Sequence, residues 1–184
     1  MSRLVITFIV FLMVFPGLPT HAQDVTEAEI SSIREAYRAA KEQVALNEHA
    51  QEQNVPRSDM EVVSHYVIPG CGPTEEVIHY YFNLDEDPVL GTPVYNVYYI
   101  TRSYNVAARK FYQEFLFDAH DGALQLFFQS NDAEDGTCDE VRYYFGNHGI
   151  RKSVKGNAEI DEVFASRTAD ELKNAFILLM NKDY

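Results

Sequence analysis

Between Val94 and Asn131 the chain alternates apolar and polar positions with a period of two. In Ala123–Asn131, Leu124, Leu126 and Phe128 fall on one face, and Gln125, Phe127 and Gln129 fall on the other. Before it, Phe111, Phe115 and Phe117 alternate with Tyr112, Glu114 and Leu116. Branched and aromatic side chains suit a pleated, half-buried surface, so this period predicts strands. Asp121-Gly122 separates two of them, a hairpin signal because glycine accepts positive φ without strain. The earlier connection, Val106–Arg109, has neither glycine nor proline. The stretch reads as three antiparallel strands.

The same pattern extends outward. Met60–Ile68 and Thr74–Leu84 read as two strands before the central three. Asp139–Phe145 and Ile150–Lys155 read as two more after them, about seven in all. At the N-terminus the period changes to that of a helix. Ile30, Ile33, Tyr37, Ala40 and Val44 form one apolar stripe, fading near Asn54 before Pro56. Thr26-x-x-Glu29 is a capping box, with Val25 and Ile30 in staple positions around it. At the C-terminus Ala158–Ala165 reads as a short turn or helix. Thr168-x-x-Glu171 reads as a second capping box opening a helix with Leu172, Ala175, Phe176 and Leu179 as its stripe. Helix, antiparallel meander, helix is an α+β pattern, and the expectation is a curved sheet with the helices gathered on one side.

Residues 1–22 carry a different signal. One arginine, Arg3, precedes an apolar run from Leu4 to Phe15, which Pro16 and Gly17 break. Small residues, Thr20 and Ala22, then occupy the −3 and −1 positions of a cleavage site before Gln23. The run is too short for roughly 30 Å of hydrocarbon, so it predicts a signal peptide rather than a membrane anchor. The expected mature chain, 23–184, is a single secreted or periplasmic domain with no membrane insertion. Its net charge moves from −13 to −14, because Arg3 is the only charge removed. So acidic a chain is ill suited to phosphate backbones, and nucleic acid is excluded as a partner.

Export changes the reading of the two cysteines. Cys71 and Cys138 both sit in turn-like segments, and an even count outside the cytoplasm predicts a disulfide. If strands alternate in direction, both loops lie at one end of the sheet. A flat sheet would hold them roughly 14 Å apart, against the 4.4–6.8 Å that a disulfide spans between Cα atoms. The bond therefore requires marked curl.

Catalytic signatures are absent. There is no Gly-x-Ser-x-Gly, His-Glu-x-x-His, Gly-x-x-x-x-Gly-Lys or Gly-x-Gly-x-x-Gly. The acidic stretch at Asn131–Asp135 fails as a calcium loop, with Ala133 and Arg142 where carboxylates are needed. No metal or cofactor is expected. The unusual feature is aromatic: 12 Tyr, 12 Phe and no Trp, with doublets at Tyr80-Tyr81, Tyr98-Tyr99 and Tyr143-Tyr144. A doublet in a strand places one ring on each face. One face is expected under the helices. The other is expected to show Tyr81, Tyr99 or Tyr98, Tyr112 and Tyr144, with Phe127, and with His79, Arg102 and Arg142 beside them. The alternative is a curled sheet that buries much of this concave face, with tyrosine hydroxyls at the rim. The arginines would hold a ligand carboxylate or pair with Glu75, Glu114 or Glu140. The leading functional expectation is a non-catalytic domain binding a small molecule, glycan or peptide on that aromatic face. A second is a hydrolase or isomerase using His79, Tyr81 and a carboxylate such as Glu61 in a cupped sheet. A third is a protein-interaction module using the N-terminal helix.

Overall fold

A computed structural model describes residues 25–52, 58–132, 138–147, 149–157 and 159–181. Residues 1–24, where a signal peptide and its cleavage site are expected, lie outside the described residues, as do Pro56, most of the acidic loop before Cys138, and His148. The elements run α1 (Glu27–Glu52), β1 (Asp59–Ile68), β2 (Gly72–Glu86), β3 (Pro93–Val106), β4 (Arg109–Phe117), β5 (Leu124–Asp132), β6 (Cys138–Gly146), β7 (Gly149–Lys155) and α2 (Glu162–Met180). The seven strands form one antiparallel sheet in sequence order, curved and open.

The helices do not share a side. One core joins Ile30, Ile33, Ala40 and Val44 of α1 to Tyr81, Tyr99, Leu116, Leu126 and Tyr144 of the sheet. The other joins Ala165, Ala169, Leu172 and Phe176 of α2 to Tyr80, Ile100, Phe115, Phe127 and Tyr143. Neighbouring residues in a strand thus belong to different cores. Because the central strands are apolar on both faces, each face needs its own cover, which corrects the expectation of helices on one side.

The N-terminal capping box forms as the sequence predicts. The Thr26 amide donates to Glu29 Oε2 at 2.9 Å and the Glu29 amide donates to Thr26 Oγ1 at 3.2 Å. Val25 and Ile30 are both buried beneath it. The second box does not form. Helix α2 starts earlier, where the Asp161 side chain accepts from the Phe164 amide at 2.7 Å. Thr168 is an interior helical residue, buried against the sheet, and Glu171 pairs with Arg167 on the outer surface. Starting at Asp161 brings Ala165, which a start at Thr168 would leave outside the helix, onto the buried face ahead of Ala169.

Two register shifts interrupt the ladder. Tyr81 pairs with Tyr99 but Phe82 pairs with Val97, leaving Tyr98 as an extra residue in β3. Leu116 pairs with Leu126 but Phe117 pairs with Leu124, leaving Gln125 extra in β5. The first bulge alters a doublet. Tyr98 and Tyr99 both belong to the α1 core instead of facing opposite sides. The turn without glycine closes as Val106 pairs with Arg109, with Ala107 at φ 54°.

Cys71 and Cys138 are free thiols, which corrects the disulfide expectation. Cys71 lies in the β1–β2 turn and Cys138 opens β6, opposite Asp132 of β5. Several strand widths of about 4.8 Å separate the two turns, and the sheet's curvature leaves it unclosed.

Candidate functional site

The eight aromatic, histidine and arginine positions singled out by the sequence divide between the two faces. Strand parity puts His79, Tyr81, Tyr99, Tyr112, Arg142 and Tyr144 on the α1 side, and Arg102 and Phe127 on the α2 side. Tyr81, Tyr99 and Tyr144 lie buried beneath α1, and Phe127 is fully buried in the α2 core. The apolar stripe of α1 is likewise buried on the sheet.

Where α1 crosses β3 and β4, a polar cluster fastens it. Glu114, almost fully buried, accepts from the Tyr37 hydroxyl at 2.6 Å and from the Tyr112 hydroxyl at 2.8 Å. Lys41 stands 3.6 Å from the same carboxylate and over the Tyr99 ring. A buried carboxylate is tolerated only when hydrogen bonds and an opposite charge replace its water. Burial, and then the Glu114 hydrogen bond, push the Tyr37 hydroxyl up to about 12. Burial raises Tyr99 and Tyr112 further still, with Glu114 the next cause. These hydroxyls hold their protons, those of Tyr37 and Tyr112 donating to Glu114 and that of Tyr99 accepting from Lys41, so the cluster clasps a helix. Glu114 already stood in the sequence on the face of Tyr112 and Leu116. Arg142 lies over the Phe128 ring at 4.8 Å on the same face.

On the α2 side, Arg102 donates to Glu76 Oε1 at 2.5 Å and to Gln113 Oε1 at 3.3 Å, and lies over Tyr104. Gln113 then donates to Gln129 at 2.7 Å. The carboxylate partner is Glu76 because it shares a face with Arg102, whereas Glu75 and Glu114 point the other way. His79 Nε2 is 3.3 Å from Glu61 and its ring stacks on Tyr81. The pair sits near the sheet's β1 edge, away from the two depressions described next. Among the described residues, no three His, Cys, Asp or Glu side chains gather as a metal site.

Space for a ligand lies at the other end of the strands. A groove of about 490 Å³ runs between α1 and the β4–β5 hairpin, floored by Ala36, Ala39, Ala40, Leu116 and Phe117. A second depression of about 230 Å³ adjoins it toward α2, reaching Lys173 and Phe176. Asn83, Tyr98, Asp118 and His120 line both. The hairpin wall is built by Asp118, whose Oδ1 accepts from the His120 amide at 2.7 Å and whose Oδ2 accepts from the Gln125 side chain at 2.6 Å. Lys173 braces it from α2, donating to the Gly122 carbonyl at 2.5 Å.

Both bulges serve this groove. Their extra residues, Tyr98 and Gln125, each line it. Tyr98 is buried, and its hydroxyl has no hydrogen-bond partner among the described residues. Burial, with Tyr81 and Asp59 as lesser causes, holds that hydroxyl up to about 12, so it is a neutral donor. Ala36 and Ala39 fall outside the stripe read for α1, and the sequence reading passed over this place. Comparison with models of protein families, with curated proteins and with solved structures finds no match.

Proposed function

We propose that the protein is an exported, non-catalytic binding domain. In this reading its ligand is a small amphipathic molecule, or the end of a glycan or peptide, seated in the groove between α1 and the β4–β5 hairpin. The observation that carries this reading is the convergence of both sheet bulges on one groove. A bulge re-aims a side chain at a cost in ladder hydrogen bonds, and such features concentrate beside functional sites. The groove's volume falls within the roughly 300–1,000 Å³ common to small-ligand sites, and its apolar floor with a few polar side chains matches their usual chemistry. Export rests on the signal-like pattern of residues 1–22.

The test fills the groove. Ala39 is exposed on α1 and lines the groove, so Ala39→Leu takes up its space without entering the core. The natural protein is expected to bind the neutral dye N-phenyl-1-naphthylamine saturably, with enhanced emission. Ala39→Leu should lose that binding while its melting temperature holds. Equal binding by both proteins overturns the proposal.

A further inference from the structure

The two edges of the sheet are built differently. Strand β7 is short and carries Arg151, Lys152 and Lys155, the charged dressing that keeps an edge from pairing. Strand β1 has ten residues and pairs with β2 from Asp59 to Ile68 without a bulge. It contains no proline, lysine or arginine. Val63 is 48 % exposed, Tyr66 39 % and Val67 72 %. Among the described residues, β2 is its sole strand neighbour. A ten-residue edge without a bulge, carrying three exposed apolar side chains and with one side facing no other described strand, is a template for another strand.

From this edge we infer that β1 pairs with β1 of a second copy of the chain, antiparallel about a twofold axis through Val63. Charge and direction select this occupant among the edge-to-edge unions of two copies. Joining β7 to β7 would bring Arg151, Lys152 and Lys155 of both copies together and crowd the Glu27 and Glu140 carboxylates that pair with Arg151 and Lys155. Joining β7 to β1 by translation would make a parallel pair, since both are odd-numbered strands, and would continue as an open filament. The β1–β1 union closes after two copies and continues the antiparallel alternation into a fourteen-stranded sheet. With Val63 opposite Val63, Met60 faces Tyr66 of the partner copy and Glu61 faces its His65. Val63 and the Met60–Tyr66 pair thus set apolar against apolar, Glu61 meets the one basic side chain of the strand, and Val62 and Asp59 fall opposite Ser64 and Val67. The two Glu61 carboxylates stay four positions apart along the ladder, roughly 14 Å, beyond a Debye length of about 8 Å in physiological salt.

The purified natural protein is expected to sediment at twice the chain mass at micromolar concentration. Val63→Lys sets two ammonium groups against each other at the axis. It should weaken association by roughly two orders of magnitude while the circular dichroism spectrum stays native. Register is tested in a Cys71→Ser, Cys138→Ser background. Val63→Cys should oxidise to a covalent dimer, because directly opposed Cα atoms lie about 4.5–5.5 Å apart, within disulfide reach. Val67→Cys, placed opposite Asp59, should not. A monomeric natural protein overturns the inference, as does a dimer that survives Val63→Lys. Equal cross-linking at positions 63 and 67, or a monomer that takes an unrelated extended peptide on β1, overturns it as well.

Discussion

Tyr98 gathers the tension between stability and function into one side chain. As a bulge residue it has no opposite number in the ladder, and its hydroxyl is buried without a partner among the described residues. An unsatisfied buried donor costs roughly 1–3 kcal/mol. Tyr98→Phe is therefore expected to raise the stability of the ligand-free protein by about 1 kcal/mol in urea unfolding. If the hydroxyl meets a ligand acceptor, the same change should weaken ligand binding about tenfold. Loss of stability in the variant would show that the hydroxyl already has its partner. The tyrosines also set the alkaline limit of the fold. Burial holds Tyr37, Tyr80 and Tyr98 up to about 12, above their ordinary 10.0. The unfolded chain therefore releases these protons first. The stability they confer is complete below pH 10 and drains away as pH climbs from 10 to 12. Ultraviolet titration of tyrosinate should show a group of tyrosines that ionises only as the protein unfolds. Reversible ionisation of every tyrosine near pH 10 with the fold intact would refute this.

At the scale of elements, helix ends were the least legible feature and strands the most. Each strand announces itself through alternation, because a pleated ribbon sends successive side chains to opposite sides. Helix α1 announces itself through its stripe and its capping box, and both form as read. Helix α2 misled because Thr168-x-x-Glu171 has the form of a capping box, while the cap that forms stands seven residues earlier. Asp161 won because the longer helix also buries Ala165, which the sequence reading left in a separate short turn or helix. Asp161→Ala is expected to cost about 1 kcal/mol through the lost cap. Thr168→Ala should leave helix initiation unchanged, so hydrogen exchange at the Phe164 amide should quicken in the first variant alone. Quickening of that amide in Thr168→Ala would restore the rejected start.

Across the whole molecule, the doublets carried a message that the sequence reading took only halfway. Tyr80-Tyr81 and Tyr143-Tyr144 do place rings on opposite faces. Rings that are buried on both sides imply a cover on both sides, and with two helices available the covers had to be divided. The presumed open aromatic face was the cost of missing that step: Tyr81, Tyr99 and Tyr144 serve as the floor of α1. The cysteine pairing does not form in this structure, since strand parity puts both turns at one end of the sheet without fixing how far the sheet curls. The groove was illegible because alanines, a hairpin turn and two bulges meet there only in three dimensions.

Glu29 also has a temporal side. One oxygen of its carboxylate caps the start of α1, and the other accepts from the Asn147 amide in the β6–β7 turn, 118 positions away. Gly146 beside it leaves Val25 so little room that a Cβ would come within 2.8 Å. Helix α1, which precedes every strand of the sheet, thus has its seat built by the turn after the sixth strand. Contacts so distant along the chain delay collapse until most of the polypeptide is present. A chain obliged to wait in this way stays threadable for a long interval after synthesis begins.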